Sequence, residues 1–250
     1  RRALAAQGIS GGRAELRAYK SKQADALEWI KLAHAPDDDR DDARLAELES
    51  DVLVQYMVRD AVANVLCPAV KLWNTGHGAN MMREAVSLMG GYGITEDCPG
   101  FLGHKWMDAQ LEATYEGPEA VQRRQLSVTM TGEIFLALMR AWSREMHQIA
   151  ARRPGTGACS LGTAMEMWLW TYDHLVRATD ADGQPLYHAR RHGVTFPMAD
   201  ALCWLLASRY QILDLIELQK RGPENPVVAE NLDGLLAFFS DLAHSQAARA

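Results

Sequence analysis

The feature that most restricts this 250-residue chain is the spacing of its apolar side chains, which recur every three or four positions over long stretches and do not alternate. β-Branched residues are scarce and gather into no alternating run, whereas Ala, Leu, Glu, Gln, Arg and Met abound. Such a period lines apolar residues along one face of a helix and cannot supply the two-sided pattern of a strand. The fold class it predicts is all-α. With 48% apolar and 23% charged residues, the chain has material for both a core and a solvated outside, which excludes disorder and collagen-like repetition.

An amphipathic helix is predicted over residues 13–34, carried by Leu16, Tyr19, Leu27 and Ile30 and stopped by Pro36. The acidic run from Asp37 to Asp42 lacks the central Gly and spaced terminal Glu of a calcium loop and suits a helix N-terminus. One long helix then carries Leu45, Leu48, Val52, Tyr56, Ala63, Leu66 and Val70. Another starts near Asn74 or Thr75, runs through Met81, Met82, Ala85 and Leu88, and ends at Gly90-Gly91. From Pro118 a helix with Val121, Leu126, Val128, Ile134, Leu138, Met139 and Trp142 continues to the break at Arg152-Arg153-Pro154-Gly155-Thr156-Gly157. Beyond it lie three stripes: Leu161, Met165, Trp168, Leu169, Tyr172, Leu175 and Val176; then Met198, Leu202, Leu205, Leu206, Leu213 and Ile216; then Leu232, Leu235, Leu236, Phe239 and Leu242. Short connections make neighbouring helices antiparallel, so residues 1–152 are expected to form an up-and-down helical bundle and 153–250 an appended helical layer.

Several function classes fall away at this level. The balance of 26 Lys and Arg against 32 Asp and Glu, net −6, offers no basic footprint for nucleic acid. Cysteines at 67, 98, 159 and 203 are too far apart for a CxxC pair and read as reduced thiols of a cytoplasmic protein. No stretch approaches the roughly 18 apolar residues of a membrane span, and Arg1-Arg2-Ala3-Leu4 lacks the apolar centre of a signal peptide. A ferritin-like di-metal bundle needs Glu-x-x-His, and no Glu here has a His three residues later. His188 and His192 are spaced to share a helical face as zinc ligands, but no third ligand is evident, and a surface pair near a helix start is the simpler reading.

Two features carry more specific chemistry. Gly90-Gly91-Tyr92-Gly93 follows no strand and is no Rossmann turn, but a helix ending in two glycines admits another backbone or a ligand close to its last turn. On physical grounds alone a plain helix cap followed by a loop is the simpler reading. In Tyr115-Glu116-Gly117-Pro118 a carboxylate stands in a short break before a Pro-initiated helix, placed either as a general base facing a pocket or as a solvated loop acid. Periodicity does not separate these.

The run from Met81 through Ser87-Leu88-Met89-Gly90-Gly91-Tyr92-Gly93-Ile94, followed by Asp108-Ala109 and Tyr115-Glu116-Gly117-Pro118-Glu119-Ala120-Val121-Gln122-Arg123, resembles the C-terminal helical domain of the acyl-CoA dehydrogenase family. The resemblance covers residues 45–130. It implies a flavoprotein that oxidises an acyl-CoA thioester to the 2,3-enoyl-CoA, with Glu116 removing the α-proton while FAD accepts the β-hydride. A carboxylate desolvated beside flavin and thioester has a raised pKa, which suits it to that proton transfer. Tyr115 and Gly117 would line the acyl end. Ser87, Leu88, Gly90, Gly91, Pro118 and Ala120 fall at flavin-contact positions, the glycines toward the FAD of a neighbouring subunit. Departures from the family pattern are Ser87 for Gln, Pro118 for Thr, Ala120 for Gln and Met107 for Arg. Family members complete the site with an N-terminal helical domain and a β-barrel, so the implied partners are a chain or segment carrying those domains, in a homo- or hetero-oligomer, dimer or tetramer. An electron-transferring flavoprotein is the implied acceptor. The other readings are a non-catalytic assembly module of this fold, or a related acyl-CoA oxidase or decarboxylating dehydrogenase.

Overall fold

The computed structural model describes residues 8, 12–95, 101–115 and 117–250, apart from the side chains of Glu15, Asp37 and Phe101. The described residues are helical almost throughout and contain no strand, only an isolated antiparallel bridge between Thr179 and Pro185. In chain order the helices are α1 (Gly12–Ala33), α2 (Asp42–Ser50), α3 (Val52–Leu72), a π-helix (Trp73–Gly78), α4 (Ala79–Leu88), α5 (Phe101–Glu112), α6 (Glu119–Thr129), α7 (Glu133–Arg152), α8 (Ala158–Arg177), α9 (His192–Arg221), a single turn α10 (Pro226–Ala229) and α11 (Leu232–Arg249). Helix α3 packs on α1 and α6, α1 on α7, α7 on α8, and α9 on α6, α8 and α11. One contiguous apolar core results, running from Ala26 and Ile30 through Leu126, Met139 and Met146 to Leu161, Met165, Leu202 and Ala247.

Three helix boundaries differ from the sequence reading, each for a local reason. The helix expected through Leu45 and Val70 breaks at Asp51, whose carboxylate accepts the backbone N–H groups of Leu53 and Val54 at 2.9 and 3.3 Å and so caps α3. No helix starts at Asn74 or Thr75. Thr75 instead donates its hydroxyl back to the Lys71 carbonyl at 2.8 Å, and α3 passes through the π-helix into α4 without interruption. The helix expected from Pro118 to Arg152 is two helices, broken where Thr131 turns its hydroxyl onto the Val128 carbonyl and Gly132 adopts an extended backbone. Helix α5 was not anticipated at all. Several stripe residues also face outward: Leu16, Val70, Met81, Leu88, Val121, Val128 and Val176 are exposed. The acidic run behaves as expected, with Asp41 capping α2 through the Arg44 N–H at 3.0 Å. His188 precedes α9 and His192 opens it, both exposed, so they share no helical face.

Candidate functional site

Helices α4 and α5, with the turn between them, pack mainly on each other and on the π-helix, forming an arm beside the bundle. Ser87 and Leu88 close α4 and are both exposed, Leu88 to 90%. Gly90 then takes φ +60°, a left-handed conformation favourable to glycine, and Gly91 accepts the Ile94 and Thr95 N–H groups at 3.2 and 3.1 Å. The glycines divide by role. A Cβ on Gly90 or Gly91 would meet nothing within 4 Å, whereas one on Gly93 would lie 2.7 Å from the Val86 carbonyl. Gly103 makes the companion approach, since its Cβ would sit 3.2 Å from the Gly93 carbonyl. Gly93 and Gly103 therefore close the arm internally, and Gly90-Gly91 is the part of the turn left open.

The Tyr115-Glu116-Gly117 loop joins α5 to α6. Lys71, at the end of α3, donates to the Glu112 carbonyl at 2.5 Å and stands 4.5 Å from the Tyr115 ring centroid, a cation–π contact that ties the loop to the bundle. Glu116 lies outside the described residues. On its far side Gly117 has φ +97°, and its carbonyl accepts from the Gln122 side-chain amide at 3.4 Å. Pro118 caps α6 with φ −62°, and its carbonyl takes the Val121 N–H at 2.8 Å, so the loop leads straight into the first turn of the helix. Ala120 on that turn is exposed. The inner face of α6 is tied by charge: Arg123 Nη1 reaches Glu119 at 3.0 Å, and its Nε meets both oxygens of Asp200 on α9 at 2.8 and 3.1 Å. Lys71 looks in the sequence like any polar residue on a solvated helix face, and Gln122 and Arg123 enter there only as part of the motif, with no role of their own.

A second polar cluster lies on the π-helix. Trp73, His77 and Trp204 are in mutual ring contact at 4.4 to 4.8 Å, beside a cleft of about 280 Å³ that Glu119 and Asp200 also line. Burial, and then the positive charge of Arg249, hold the His77 imidazole below the usual histidine range.

The open backbone at Gly90-Gly91 and the exposed Ser87 hydroxyl fit a flat polar group approaching from outside, while Pro118 and Ala120 bring no polar side-chain atom. What polar hold the chain offers comes from the end of α4. Among the described residues no cluster of three or more His, Cys, Asp or Glu can hold a metal ion, and no helix is long and apolar enough to cross a membrane.

Residues 42–130 match the family described as acyl-CoA dehydrogenase, C-terminal domain. The match covers 89 of the 250 residues, and the similarity is confined to that span. The match begins at the first residue of α2 and ends at Met130, the cap of α6, so the matched segment contains both the Gly90-Gly91 turn and the Tyr115-Glu116-Gly117 loop. Helices α7 to α11 lie beyond it. No curated protein and no solved structure matches the chain.

Proposed function

We propose that this chain is the C-terminal helical part, or subunit, of a flavin-dependent acyl-CoA dehydrogenase. The observation that carries the reading is the dehydrogenase match over 42–130, which holds the open glycine turn and the glutamate loop in one segment. Glu116 is the base: its carboxylate takes the α-proton of the thioester, and the electron pair left behind forms the 2,3 double bond as the β-hydride departs. FAD, when bound, supplies the hydride acceptor. Ser87 and the backbone of Gly90 and Gly91 are the groups that would hold it, with Leu88 beside them. Tyr115, tethered by Lys71, and Gly117 border the acyl end. Pro118 and Ala120 contribute shape alone.

The remaining walls come from a chain or segment bearing the N-terminal helical and β-barrel domains. Electrons pass on to an electron-transferring flavoprotein, and the setting is cytoplasmic. In the complete assembly, Glu116→Gln should retain fold and flavin but slow anaerobic flavin bleaching by an acyl-CoA about 10²–10⁴-fold. Near-normal bleaching would overturn the assignment.

A second reading, a non-catalytic assembly module, draws support from the exposed apolar residues Leu88, Met89, Tyr92, Ile94, Met107 and Leu111 on the arm. An assembly that forms fully but binds no FAD would favour it. Oxidase or decarboxylating variants of the same chemistry are distinguished by the electron acceptor and by release of CO₂.

A further inference from the structure

Outside the matched segment, a groove of about 680 Å³ runs where α8, α9 and α11 meet. Its size falls within the range of small-molecule sites, roughly 300–1,000 Å³. Met167, Trp168 and Leu175 line it from α8, Met198 and Ala201 from α9, and Ala247 from α11. No Asp, Glu, Lys or Arg lines it. Ser160 and Leu175, toward its two ends, are about 22 Å apart along α8 at ~1.5 Å per residue, so the groove is long rather than round. Thr163 and Thr171 also line it, the Thr171 hydroxyl donating back to the Met167 carbonyl at 2.8 Å, and a polar side-chain pair stands at one end, where the Ser160 hydroxyl and His244 Nδ1 are hydrogen-bonded at 2.8 Å. The same end is the N-terminal turn of α8, where Gly157 offers no side-chain cap and the helix dipole favours a negative group.

An elongated floor without acidic or basic side chains, whose hydrogen-bonded Ser160–His244 pair stands at one end beside a helix N-terminus, is complementary to one chemistry. We propose that this groove binds a single-chain fatty acid, with its carboxylate at Ser160 and His244 and its tail along α8 toward Leu175. The proposal does not rest on the dehydrogenase reading, since the groove is built entirely from α8, α9 and α11.

Trp168 at the floor provides the readout. Titrating the full chain with 11-bromoundecanoate, below the concentration at which it aggregates, should quench tryptophan fluorescence saturably. Trp168→Phe should reduce the quenched fraction. Thr163→Phe on the exposed side of α8 and Ala201→Phe on α9 both fill the groove and should weaken binding at least tenfold. Thr163 is exposed, so its replacement leaves the core alone even if the Ala201 variant folds poorly. Unbrominated acids competing against the probe should bind about 3–4-fold tighter for each added methylene, the equivalent of ~0.8 kcal/mol, until the groove is full. Ser160→Ala and His244→Ala should each weaken the acid about 2–12-fold, the range of one net hydrogen bond. Quenching that is unsaturable or indifferent to both Phe variants would overturn the proposal. Self-association of the chain that Thr163→Phe abolishes, with no quenching by the probe, would overturn it in favour of a second copy as the occupant.

Discussion

Asp51 shows how much one side chain decides. Its carboxylate caps α3 and pairs with Lys22 Nζ at 2.7 Å, and Lys22 also holds Asp25 at 2.8 Å. Burial pushes the Asp51 carboxyl up, but the hydrogen bonds from Lys22 and from the Val54 and Leu53 N–H groups outweigh it and hold the group below its ordinary 3.8. The folded state therefore favours the ionised form. That contribution is complete above pH 3.8 and is lost as pH falls through the folded value. Asp51→Ala should cost about 0.5–2 kcal/mol in urea unfolding at pH 7, with the deficit shrinking below pH 3.8. An equal deficit at both pH values would show that ionisation plays no part. At this scale the candidate site was only half legible. Tyr115 and Gly117 stand out because Gly and Pro interrupt a helical pattern there, whereas Lys71 and Gln122 are recognised only once folding brings α3 and α6 to the loop.

Among the helices, periodicity foretold the stripes better than their ends. Apolar spacing runs unbroken through Asp51 and through Thr131-Gly132, so the breaks come from side chains that compete for backbone hydrogen bonds, a signal with no period. Helix α5 carries a weak pattern because Met107 and Leu111 are exposed and its covered face, Leu102, Gly103, Trp106 and Ala109, is mostly only partly buried. The arm gives a sharp contrast between two glycines. Gly93→Ala puts a Cβ 2.7 Å from the Val86 carbonyl, which forces the turn off the end of α4 and should cost about 1–3 kcal/mol. Gly91→Ala meets nothing within 4 Å and should leave the melting temperature of the chain unchanged. If Gly91→Ala lowers flavin content in the full assembly while leaving that melting temperature intact, the open half of the turn is where the cofactor approaches. Equal destabilisation by both substitutions would refute this division of roles.

For the molecule as a whole, the all-helical class and the succession of long helices could be read from composition and spacing, because both follow from burial of one face per helix. The continuity of the core could not. Phe135, Leu138, Met139, Trp142 and Met146 on α7 join Leu161, Met165, Trp168 and Leu169 on α8 in one buried cluster that crosses the Pro154-Gly155 break. A chain truncated after Arg152 should therefore expose that face, lose cooperative unfolding and aggregate. A soluble product with a sharp thermal transition would show that the first helices stand alone. The arm has a different consequence. Leu88, Met89, Tyr92, Ile94, Met107 and Leu111 present apolar surface that water solvates poorly, so any association covering them is coupled by mass action to folding. If the arm pairs with a second copy, thermal stability becomes a function of dilution: the melting temperature should climb with protein concentration, and Leu88→Asp should flatten that dependence.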